Sequence, residues 1–78
     1  MESMKQKNKF ELATLRKRLQ THLDYDLTAF HWEVLLCGWA DRERRRHRRI
    51  NTSAIRARGW VSKKDAVSIS DYVGYNLL

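Results

Sequence analysis

The chain has 78 residues, 42% hydrophobic and 32% charged, with a formal net charge of +7 at pH 7 and a pI near 10.1. That length allows one domain with a small core. The apolar content excludes a wholly disordered chain, and a charge this high implies a polyanionic partner.

Residues 1–8 are polar and are expected to form a flexible N-terminus, leaving 9–78 as a single small helical domain. The opening MESMKQKNK lacks the apolar stretch of a signal peptide. The apolar run Leu35–Ala40 falls far short of the ~20 residues that cross a bilayer. An intracellular protein follows, cytoplasmic or nucleoid-associated, neither secreted nor in contact with membrane. With no proline and three glycines, helices are favoured over an all-β fold, which needs turn residues every ~8–12 positions.

A first helix is expected over 9–23. Leu12, Leu15, Leu19 and Leu23 recur at helical spacing, with Phe10 and Ala13 near the stripe and Lys9, Arg16, Lys17 and Arg18 mostly off it. The apolar phase changes at Asp24-Tyr25-Asp26, where Asp24 or Asp26 can cap a second helix. That helix is expected over 26–49. Leu27, Phe30, Val34 and Cys37 share one line, and Trp32, Leu35, Leu36, Trp39 and Ala40 fill much of the remainder. Gly38 is a weak point, costing about 1 kcal/mol relative to alanine.

The apolar stripe of the second helix is too wide for one partner helix. It needs the first helix and something more: the C-terminal segment, a second copy, or another protein. A homodimer is the leading expectation, with Phe30, Trp32, Leu36 and Trp39 as interface candidates. Further on, Thr52 or Ser53 can open a short helical turn near 53–58, closed by Gly59. Ser62-Lys63-Lys64-Asp65 resembles a capping box that opens a helix over 62–73. A strand or β-hairpin competes there, because Val67, Ile69, Val73, Tyr75 and Leu77 also alternate at period two. The expected fold is mainly α, a bundle of about three helices.

Charge is unevenly placed. Residues 24–40 carry three acids and no base, whereas 41–58 carry eight arginines against two acids. These arginines, Arg42, Arg44, Arg45, Arg46, Arg48, Arg49, Arg56 and Arg58, are the candidate nucleic-acid contacts. Guanidinium is permanently charged and forks onto phosphate oxygens, and each neutralised phosphate releases counterions. Trp60, beside the last of them, is a candidate for stacking on bases, although a tryptophan in a small domain more commonly closes the core.

The run RERRRHRR, Arg42 to Arg49, resembles the arginine-rich motifs of small RNA-binding proteins such as the antiterminator N peptides of lambdoid phages. The resemblance is compositional and covers about ten residues; it implies contact with a polyanion.

Other chemistries fit poorly. His31 and Cys37 stand six positions apart, about 240° around a helix, so they do not converge on a metal or form a catalytic pair. No glycine loop is built to cradle phosphate. A helix-turn-helix with Gly59 in the turn would set Asp65 and Ser68 on the inner face and give the reading helix little base. The expectation is a non-enzymatic protein without cofactor or metal, binding DNA or RNA in a regulatory or architectural role. The alternative is an adaptor or virus-encoded inhibitor that docks on the acidic surface of a larger protein.

Overall fold

A computed structural model describes residues 9–77, so the expectation of a flexible segment at 1–8 lies outside the described residues. The order of elements is β1 (Phe10–Glu11), α1 (Leu12–Leu23), α2 (Ala29–Arg45), α3 (Thr52–Arg58), β2 (Trp60–Val61) and α4 (Lys63–Leu77). The fold is mainly helical. β1 and β2 pair antiparallel, Phe10 with Val61 and Glu11 with Trp60. This two-residue ribbon was not anticipated: so short a pairing leaves no periodicity to read.

α4 packs on both α1 and α2, and its burial settles the competition between helix and strand. Ala66, Ile69 and Val73 are buried, while Val67 and Tyr75 are 61% and 84% exposed. That is a period of three to four rather than two. Ser62 caps the helix, its hydroxyl accepting from the Asp65 amide at 3.3 Å, but Asp65 turns its carboxylate elsewhere.

The tryptophan side of the wide stripe of α2 is thereby covered within the chain, while Phe30, Val34 and Cys37 stay exposed. Trp39 is fully buried, and its indole N–H donates to Ser68 Oγ of α4 at 2.9 Å. Trp32 and Leu36 join Leu12, Leu15, Leu19 and Ile69 in the same core. Gly38 has a packing reason: a Cβ there would run into the Tyr72 hydroxyl of α4.

α1 and α2 end in the same way, and neither end carries a glycine. At the end of α1 the Tyr25 amide donates to the Gln20 carbonyl and the Asp24 amide to that of Thr21, with Asp24 at φ 51°. At the end of α2 the Arg48 amide donates to the Glu43 carbonyl and the His47 amide to that of Arg44, with His47 at φ 66°. These are Schellman motifs, with Asp24 and His47 in the left-handed position that glycine usually fills. Asp and His are among the non-glycine residues that tolerate it best.

The expected bounds shift accordingly. α2 stops at Arg45 rather than 49, because His47 turns the chain, and it starts at Ala29 rather than 26. Its cap is Thr28, whose hydroxyl accepts from the His31 amide at 3.1 Å, and neither Asp24 nor Asp26 serves. α3 is capped by Asn51 and closed by Gly59 at φ 82°.

The α1–α2 connection is clamped by α1 itself. The Arg16 guanidinium donates twice to the Leu27 carbonyl, at 3.0 and 2.6 Å, and the Leu27 amide donates to Gln20 Oε1 at 3.1 Å. Leu27 is fully buried. Arg16 is thus held by a backbone group instead of lying free on the basic face of α1.

Candidate nucleic-acid interface

The C-terminal turn of α2 sorts the arginine run into two sets. In a Schellman motif the residues bracketing the turn come together, usually through an apolar contact. Here the bracketing residues are Glu43 and Arg48, and an ion pair replaces that contact. Arg48 Nη1 lies 2.6 Å from Glu43 Oε1, and its Nη2 lies 2.7 Å from Asp65 Oδ1 on α4. Glu43 and Asp65 are the two buried acids among the described residues, 3% and 8% exposed. One guanidinium therefore joins α2, the turn and α4.

Arg42 closes the network from the other side. Its Nε lies 3.3 Å from Glu43 Oε2, its Nη2 donates to Ser68 Oγ at 3.3 Å, and its guanidinium sits 5.0 Å over the Tyr72 ring. Burial raises the Glu43 pKa, but the Arg48 hydrogen bond and the charges of Arg42 and Arg48 outweigh it and hold the carboxyl below its usual range. The Arg48 pKa is pushed up by its bonds to Asp65 and Glu43. The pair stays charged at neutral pH.

The remaining arginines of the run face solvent. Arg45 is 80% exposed and meets only the exposed Asp41, at 3.1 Å. Arg46 is 65% exposed, with Glu43 at 3.8 Å. Arg44 is exposed, its Nε donating to the Ile50 carbonyl at 3.0 Å, and that bond fixes the loop. Arg49 is exposed and makes no side-chain hydrogen bond or ion pair among the described residues. Exposed pairs of this kind contribute roughly 0–1 kcal/mol, so a phosphate competes for them readily.

Arg56 and Arg58 stand apart from this corner. Arg56 pairs with Glu33, which ties α3 back to α2. Arg58 lies 4.4 Å over the Trp60 ring and donates from Nε to the Trp60 carbonyl at 2.9 Å. Trp60 is half-buried at the ribbon, with Lys9 Nζ 4.9 Å above the ring. Its ring is already engaged by two cations.

Comparisons with known proteins identify no relative: no family model, curated protein or solved structure matches the chain.

The interface candidates divide in the same manner. Trp32, Leu36 and Trp39 are 6%, 3% and 0% exposed and form the chain's own core; Phe30 is 80% exposed. The three buried ones were offered as surface because the stripe seemed to lack cover, and α4 supplies it.

Lys9 and Arg18, which the sequence sets off the apolar stripe of the first helix, join Lys63 in lining an open cleft over Phe10, Thr14 and Leu15, with Glu11 among them. They come from the ribbon, α1 and α4, and only the tertiary fold brings them together. Among the described residues no three His, Cys, Asp or Glu side chains are grouped to hold a metal. No helix among them is long and apolar enough to cross a membrane.

Proposed function

We propose that the chain is a non-enzymatic nucleic-acid-binding protein, regulatory or architectural, that grips phosphates through the corner formed by Arg44, Arg45, Arg46 and Arg49. One observation supports this reading. The buried acids Glu43 and Asp65 are taken up by Arg48 and Arg42, while the four other arginines stay in solvent on a turn that this network holds rigid. With the backbone of the turn held by the fold, only the side chains remain to be ordered when these guanidiniums meet phosphate. Action inside the cell, in the cytoplasm or at the nucleoid, belongs to the same proposal.

The test is a salt titration of binding to double-stranded DNA, single-stranded DNA and a structured RNA hairpin. Each phosphate contact contributes roughly −0.9 to the slope of log K against log salt on duplex DNA and −0.7 on a single strand. Replacing Arg45, Arg46 and Arg49 together by alanine is expected to flatten the duplex slope by roughly 2.7, on that scale. Absence of binding to all three polymers at low salt would remove the proposal and leave an acidic protein as the partner. The adaptor reading is the weaker of the two, since the apolar residues that would form its interface, Trp32, Leu36 and Trp39, are buried within the chain.

A further inference from the structure

The outer face of α2 carries a line of apolar side chains that the fold leaves uncovered. Phe30 is 80% exposed, Val34 50% exposed, and Cys37 is exposed. At 100° per residue these three positions fall within about 60° of arc, and Asp41 continues the line. The buried residues of α2 lie off this face: they are Trp32, Leu35, Leu36, Trp39, Ala40 and Glu43.

The face has a direction. At its N-terminal approach Asp24 and Asp26 are exposed, no Lys or Arg occurs between residues 19 and 41, and Arg56 of α3, which reaches this half of α2, is paired with Glu33. At its C-terminal end Arg44 and Arg45 flank the line. A strip that is acidic at one end, apolar in the middle and basic at the other complements itself when turned end for end. It does not complement itself side by side, because two arginine corners would then meet. In α2's 17 residues the rise is roughly 25 Å, at 1.5 Å per residue. An end-for-end pair therefore sets the two corners apart by more than the ~10 Å screening length of 0.1 M salt.

We infer that α2 pairs antiparallel with α2 of a second copy, about a two-fold axis passing between Val34 and Cys37. In that register Val34 lies across from the partner's Cys37, Phe30 lies across from the partner's Asp41, and the Arg44 and Arg45 end of one copy faces the Asp24 and Asp26 end of the other. The occupant is another copy because the charge pattern on the page matches itself. One helix face is smaller than the roughly 800 Å² per partner of a standard interface, so the dimer is reversible and its population rises with concentration. The inference does not depend on what the arginines bind.

Light scattering of the full chain from micromolar to near-millimolar concentration reads the mass directly, and a short-spacer bismaleimide reads the register through Cys37. The mass is expected to rise from one copy to two, and the parent chain to cross-link through Cys37 into a covalent dimer. Phe30→Glu is expected to keep a one-copy mass throughout and to cut the cross-linking rate at least tenfold. Its circular dichroism should match the parent, because Phe30 lies outside the core. Phe30→Cys combined with Cys37→Ser is expected not to cross-link, since antiparallel helices hold these positions roughly 16 Å apart along the axis. A one-copy mass for the parent at every concentration, equal cross-linking by Phe30→Glu, or efficient cross-linking of the Phe30→Cys, Cys37→Ser chain would each overturn the inference.

Discussion

Arg48 and Arg49 are neighbours in the chain and belong to different regions of the molecule. Arg48 is drawn inward between Glu43 and Asp65, both buried. Arg49 stands in solvent without a side-chain partner among the described residues. The same chemical group thus braces the fold at one position and is free to meet a partner at the next. The difference is made by the left-handed turn at His47, which reverses the chain after α2 and swings one arginine back over Glu43. Eight arginines in one segment therefore do not make eight contacts. Under the proposed function, the turn decides which guanidiniums remain to reach a polyanion.

The sharpest way to break this comparison is to remove each arginine in turn. Arg48→Ala leaves the buried Asp65 without its cation and Glu43 with only Arg42 and Arg46, which is expected to cost about 3 kcal/mol, the lower end for a buried pair because Arg48 is partly exposed. Arg49→Ala is expected to stay within about 0.5 kcal/mol of the parent. Urea denaturation of the two variants measures both; equal losses would mean that the two arginines are not distinguished by the fold.

Acid separates the regions next. The Glu43 carboxyl is held below its usual range, so its contribution is fully present above the unfolded carboxyl pKa of roughly 4.3. It is lost as pH falls through the lower, folded value, when protonation takes the charge from beside Arg42 and Arg48. Thermal melting across that acidic window is expected to show a stability loss that Glu43→Gln reduces, with Glu43→Gln less stable than the parent at neutral pH. A parent melting curve unchanged through the window would show that the network does not hold the turn.

The smallest effect probes the turn itself. A side chain in the left-handed region costs roughly 1–2 kcal/mol, which glycine avoids at some cost in backbone entropy. His47→Gly is expected to raise stability by up to about 1 kcal/mol while leaving the arginine corner in place. A destabilised His47→Gly would mean that the imidazole contributes more to this turn than its conformational cost.

The helices were largely legible in the sequence, because leucines at helical spacing in α1, and Trp39 among its apolar neighbours in α2, are local patterns. Gly59 announced the end of α3 for a plain steric reason. The ends of α1 and α2 were harder to read, since Asp24 and His47 occupy positions that glycine would have marked. Thr28 was passed over as a cap because two nearby aspartates have the same chemistry. The site was legible as a charge total and not as a geometry. That Arg48 is a brace depends on Asp65, 17 residues on, and that Trp39 is core depends on Ser68 and Ile69 in a helix whose very type was in dispute.

The position of α4 in the chain also bears on how the protein is made. This helix lies against both α1 and α2, yet it follows them in sequence. From Trp39 to Val73 a ribosome adding ~5–20 residues per second needs roughly 2–7 s. Throughout that interval the tryptophan face of α2 exists without its cover, and β1 is without β2. On that nascent segment the apolar side of α2 is followed immediately by the arginines of 42–49, and the residues that close it, 66–73, come last.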